Sequence, residues 1–88
     1  MSLDGTRALI IESLAAKTRK DVAELTGELQ AAGAEYPYDS AFLVSAGAHA
    51  ARQMGLKLTN VRAHAQAFKS VEALAVYLNG LDEQRNAA

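Results

Sequence analysis

Ser40 is the residue of this chain best placed to do chemistry. It follows Asp39 and the short stretch Tyr36-Pro37-Tyr38, and Asp is favoured at the position that caps a helix start. A serine in a first helical turn is sterically accessible, and the unpaired N–H groups and dipole there favour an attached phosphate. The Asp-Ser pair therefore reads either as a modification site or as a plain helix start. Other chemical constellations are missing. His49 and His64 stand fifteen positions apart on different predicted segments, without an acidic or thiol partner at ligand spacing, so both read as surface or helix-packing residues and not as metal ligands. The absence of cysteine removes disulfides and thiolate-rich metal sites. A phosphate-binding glycine loop, a Ser-His-Asp set and a paired-carboxylate cleft all lack candidates, and a chain this small has little room for an enclosed pocket. The expectation is a non-catalytic protein with no metal.

Helices must position these residues. High Ala and a single Pro favour helix, because Ala has the lowest cost of helix formation and Pro breaks it. The pattern predicts four or five helices and no strand. Leu3, Leu9, Ile10, Ile11 and Leu14 recur near helical spacing behind Asp4, predicting a first helix over about 4–16 with Asp4 as its cap. Lys17, Arg19 and Lys20 complement its C-terminal dipole. Asp21 then caps a shorter segment with Val22, Leu25 and Leu29 on one face, fading at Gly33. Pro37 stops helix formation and biases Tyr36 towards an extended backbone. A new helix runs from Asp39 to Gln53, its inner stripe Leu43, Gly47, Ala50 and Met54, and Gly55 closes it. Val61, Ala65 and Phe68 predict a short further helix. Ser70 caps a last one, striped by Val71, Leu74, Ala75 and Leu78, that Asn79-Gly80 ends. The polar residues 82–88 are expected as a flexible tail behind a single domain over 1–81.

Composition narrows the class. The chain has 88 residues, and half are hydrophobic, but 19 of those are Ala, leaving 25 larger apolar side chains for one small core. No apolar run approaches the roughly 20 residues of a membrane span, and Met1-Ser2-Leu3-Asp4 lacks the basic lead and apolar stretch of a secretory signal. A cytoplasmic protein is expected. A net charge of −1 gives no domain-wide case for nucleic-acid binding. The charge is nevertheless uneven: residues 1–40 hold seven acids and four bases, and residues 41–88 hold three acids and five bases. The narrow apolar stripes are expected to be consumed within one bundle, giving a monomer.

Several stretches, in order and spacing, resemble the acyl carrier protein family of fatty-acid and polyketide biosynthesis over nearly the whole chain. Tyr38-Asp39-Ser40-Ala41 is similar to the family's Asp-Ser-Leu motif, and Gly33-Ala34-Glu35-Tyr36-Pro37 to the approach loop of polyketide-type carriers. Gly55, followed by Leu56-Lys57-Leu58, resembles the end of the family's second helix. Phe68-Lys69-Ser70-Val71 with Leu74, Tyr77, Leu78, Asn79 and Gly80 resembles its final helix. The resemblance implies an all-α fold, a small four-helix bundle with a long structured first loop. It implies a 4'-phosphopantetheine arm, derived from coenzyme A and attached covalently to Ser40, with Asp39 as motif residue and cap. It further implies a phosphopantetheinyl transferase as partner, then ketosynthase, acyltransferase or tailoring enzymes, with no role at a membrane or on nucleic acid.

The departures from the family pattern are specific. Ala41 stands where the motif has Leu, shrinking the contact offered to modifying enzymes. Tyr36-Pro37-Tyr38 differs from the Gly-Gly that commonly precedes the serine pair in peptidyl carriers, favouring an acyl carrier. The helix after Ser40, acidic in well-known carriers, contains no acid between Ala41 and Gly55 and has His49 and Arg52 instead. At about 100° per residue, Ala41, Ser45, Ala48 and Arg52 share its outward face, which predicts docking to neutral or mildly acidic partner surfaces. Its inner face is thin at Ala46, Gly47, Ala50 and Ala51. That reads either as close helix packing or as cargo space, with Val44, Gly47, Val61, Phe68 and Leu74 as expected lining. The alternative reading is an unmodified helical adaptor that binds a partner protein through the same helix.

Overall fold

The computed structural model describes residues 2–58 and 61–87, except for the side chains of residues 61–64, 86 and 87. Its elements are α1 (Leu3–Thr18), α2 (Val22–Ala32), α3 (Ser40–Gln53), a 3-10 segment (Val61–Phe68) and α4 (Val71–Ala87). The fold is all-α. Among the described residues the only β-type pairing is an isolated antiparallel bridge between Pro37 and Ser70.

The cap of α1 is Ser2 and not Asp4. The Ser2 hydroxyl accepts the Gly5 N–H at 3.1 Å, so the helix begins one residue before Asp4, which lies in the first turn where a carboxylate complements the dipole. Thr6, Ile10, Ile11, Ser13, Leu14 and Ala15 form its buried stripe. The helix ends in a left-handed residue, Arg19, with φ 58°, whose N–H returns to the Ala15 carbonyl. Asp21 caps α2 as its sequence predicts, accepting the Ala23 N–H at 3.1 Å. Leu25 and Leu29 are buried, but Val22 is 44% exposed. The reason is architectural: α2 packs on α1 alone, and one neighbouring helix covers only a narrow stripe.

The loop from Gly33 to Asp39 is strapped to the start of α4. Val71 and Glu72, whose N–H groups have no partner within their own helix, donate to the carbonyls of Tyr36 (2.9 Å) and Glu35 (3.2 Å). Ser70 caps the same turn by accepting the Ala73 N–H at 3.0 Å. Tyr36 is left-handed, φ 56°, and not extended as the following proline predicts. Its N–H donates to Gly33 at 3.1 Å and its carbonyl accepts from Val71, so two hydrogen bonds offset the cost of that backbone region.

Helix α3 lies between α1, α4 and the 3-10 segment. Leu43, Ala46, Gly47, Ala50 and Ala51 are its buried face, and Met54 follows them inward. Gly55, at φ 75°, lets the chain leave the helix. The core is completed by Ile10, Leu14, Leu25, Leu29, Phe68, Val71, Leu74 and Leu78. The last helix does not stop at Asn79-Gly80 but continues to Ala87, so the segment expected as a tail is helical at least that far. Two groups in the extension explain this. Asp82 is 3% exposed and pairs with Arg85 at 2.7 Å, and Arg85 donates to the Met54 carbonyl at the end of α3, also at 2.7 Å.

Candidate functional site

Ser40 is the first residue of α3 and is exposed. Its position follows from the sequence on either side. Asp39, extended at φ −60° and ψ 126°, accepts the Ala41 N–H at 2.9 Å and so begins the helix one residue later. The Pro37-Ser70 bridge and the two hydrogen bonds into α4 hold the preceding loop against the bundle. The hydroxyl therefore stands at the outer end of a helix fixed on both sides. Its first-turn N–H groups and dipole end give a developing or attached phosphate a favourable electrostatic setting.

The outward face predicted for α3 is present in graded form. Ala41 and Arg52 are exposed, while Ser45 and Ala48 are half-buried. A larger feature beside Ser40 has no counterpart in the sequence reading: Phe42 is 42% exposed. Its ring meets that of Tyr38 edge-on, centroids 5.9 Å apart, a favourable aromatic geometry. The signal for it lay in the helical angle. Phe42 precedes the buried Leu43 by about 100° of rotation, enough to carry a large ring off the core-facing stripe.

The residues expected to line cargo space separate into groups. Val44 is half-buried at the rim, whereas Gly47, Phe68 and Leu74 are buried together. A Cβ on Gly47 would lie 3.1 Å from both δ carbons of Leu74 and from Phe68 Cε1. The small residues of α3 are thus matched by large ones from the facing elements, which is close packing. Val61 lies outside the residues whose side chains are described, as does His64.

His49 serves as a tie between helices. Its Nδ1 is 2.8 Å from Ser13 Oγ on α1, and Ser13 already donates its proton to the Leu9 carbonyl at 2.9 Å. The serine hydroxyl is thus held between the His49 ring and the Leu9 carbonyl and is not a free nucleophile. Among the described residues no three His, Cys, Asp or Glu side chains gather to hold a metal ion, and no helix is long and apolar enough to cross a membrane.

Two open grooves mark the surface. One, of about 400 Å³, is lined by Glu35, Gln66, Ala67, Ser70, Glu72 and neighbours on α4. The other, of about 360 Å³, lies between the second half of α3 and the chain that follows, lined by Ala48, Ala51, Arg52, Leu56, Lys57 and Leu58. Neither includes Ser40. The chain matches no protein-family model, no curated protein and no solved structure.

Proposed function

We propose that this chain is an acyl carrier, modified at Ser40 and serving biosynthetic enzymes of the polyketide or fatty-acid type. The observation that carries the reading is the exposed serine, held as the first residue of a helix by an Asp cap on a small helical bundle. In the attachment step, Ser40 Oγ attacks the pyrophosphate phosphorus of coenzyme A that bears the pantetheine. A serine–phosphate ester forms, the bond to the nucleotide breaks, and adenosine 3',5'-bisphosphate leaves. The transferase takes the hydroxyl proton and supplies the magnesium ion. The carrier's own residues contribute placement: Asp39 fixes where the helix starts, and the strapped loop fixes the direction in which the hydroxyl projects. The residues around Ser40 fit such an arm, because the hydroxyl is exposed and neither groove nor core encloses it. When attached, the arm supplies a terminal thiol that holds an acyl group as a thioester.

Partner docking on this reading uses α3 without carboxylates. Ala41 offers little contact, and Phe42, supported by Tyr38, provides the apolar surface beside the serine, with Arg52 as the charged contact further along. Intact-mass spectrometry after incubation with coenzyme A, magnesium and a broad-specificity transferase tests the proposal. A phosphopantetheine increment that disappears in Ser40→Ala supports the carrier. No increment with any transferase supports the adaptor reading, in which α3, with Phe42 exposed on it, binds a partner directly.

A further inference from the structure

We infer, on the carrier reading above, that the groove beside Arg52 and Lys57 receives the acyl group tethered at Ser40 and favours acyl groups ending in a carboxylate. Ser40, Val44 and Ala48 stand at i, i+4 and i+8, one continuous ridge along α3. Ala48, at the groove's near edge, is about 12 Å along the axis from Ser40 at 1.5 Å per residue. An extended pantetheine arm spans that distance.

The interior is closed on the same helix. Gly47, the one position where α3 lacks a side chain on its inner face, is filled from outside by Leu74 and Phe68 at 3.1 Å from where a Cβ would stand. An acyl group entering there would have to displace well-packed core. The groove is already open and is floored by Ala48, Ala51, Leu56 and Leu58, which suits the methylene chain of the cargo.

Arg52 and Lys57 both line this groove, and among the described residues no carboxylate does. Arg7, Lys20 and Arg85 each meet a carboxylate. Among the described residues Arg52 and Lys57 meet none. The other groove has no cation among its described lining residues, and of its two carboxylates Glu72 is already paired with Arg7 while Glu35 is exposed, so it offers the same ligand no partner. The C-terminal carbonyls of α3 would oppose an anion near Arg52, but Arg85 donates to the Met54 carbonyl at 2.7 Å and offsets that end of the dipole. A terminal carboxylate seated between Arg52 and Lys57 gains two cations at the surface, an interaction weakened by salt.

The test loads the full chain through the transferase from adipyl-coenzyme A and, separately, hexanoyl-coenzyme A, whose acyl chains are equally long and differ in the terminal carboxylate. Amide chemical shifts of the loaded protein and thioester hydrolysis followed by intact mass are the two readouts. The adipyl form is expected to shift the amides of Ala48, Leu56, Lys57 and Leu58 relative to the hexanoyl form. It is expected to hydrolyse about threefold more slowly, a surface ion-pair effect. Both differences should vanish in the Arg52→Gln/Lys57→Gln variant, whose exposed substitutions leave the core intact. Identical spectra and hydrolysis for the two cargoes, or a difference that survives the double substitution, would overturn the inference alone. Absence of any loaded mass would overturn the carrier reading, and the inference with it.

Discussion

At the scale of single residues, the site is an exposed hydroxyl with an aromatic neighbour, and the two separate cleanly by substitution. Phe42 is 42% exposed and makes one edge-on ring contact with Tyr38, so Phe42→Ala should lower stability only modestly, by about 1 kcal/mol. If Phe42 supplies the apolar contact that Ala41 lacks, the variant's kcat/KM with the transferase falls about tenfold, the size of a modest interface hot spot. An unchanged kcat/KM would remove Phe42 from that role. Gly47 is buried instead. Gly47→Leu drives a branched side chain against Leu74 and Phe68 and should cost about 1–3 kcal/mol in urea unfolding, the range for overpacked cores. A neutral result would mean that the space around Gly47 is not filled. The serine and its Asp cap were legible in the sequence because capping is local chemistry. Phe42 was legible only as an angle from the Leu43 stripe, because how far it is exposed depends on how α3 is rotated against α1 and α4.

At the scale of elements, sequence signals located helices better than they located helix ends. Asp21, Asp39 and Ser70 cap the segments they were expected to cap, since a side chain accepting an N–H two or three residues on needs no tertiary partner. Two other ends were decided by contacts across the fold. Asn79-Gly80 is a fair local stop signal, yet α4 continues because Arg85 reaches the Met54 carbonyl and pairs with the buried Asp82. Tyr36 leaves the extended region because its peptide groups bond to Gly33 and to the start of α4. Arg85→Ala is expected to lower stability by about 2 kcal/mol, because it removes the charged hydrogen bonds both to the Met54 carbonyl and to the buried Asp82. It should also speed amide exchange in the last turns of α4 and around Gly55. Unaltered exchange there would show that the extension is held by something else.

At the scale of the whole molecule, an ion pair ties the first helix to the last. Arg7 on α1 donates from Nε and Nη2 to both oxygens of Glu72 on α4, at 2.7 and 2.9 Å, and from Nη1 to Asp4 at 2.6 Å. The hydrogen bonds from Arg7 hold the Glu72 carboxyl below its ordinary value of 4.5. A carboxylate whose folded pKa is depressed adds stability that is fully present above 4.5 and is lost as the pH falls through the lower folded value. Glu72→Gln should therefore cost about 1 kcal/mol near neutral pH, a difference that shrinks towards zero in strong acid. A pH-independent difference would contradict the ion-pair origin. The uneven charge along the chain has a structural counterpart too: the helix that follows Ser40 carries no acid, and Arg52 and Lys57 stand by the open groove. The central claim remains the chemistry of Ser40, and its most direct test is fragmentation mass spectrometry of the transferase-treated protein. Tryptic peptide 21–52 contains Ser40, Ser45 and Thr26. A phosphopantetheine mass is expected on Ser40 alone; an unmodified peptide, or the mass on another residue, would contradict the assignment of Ser40.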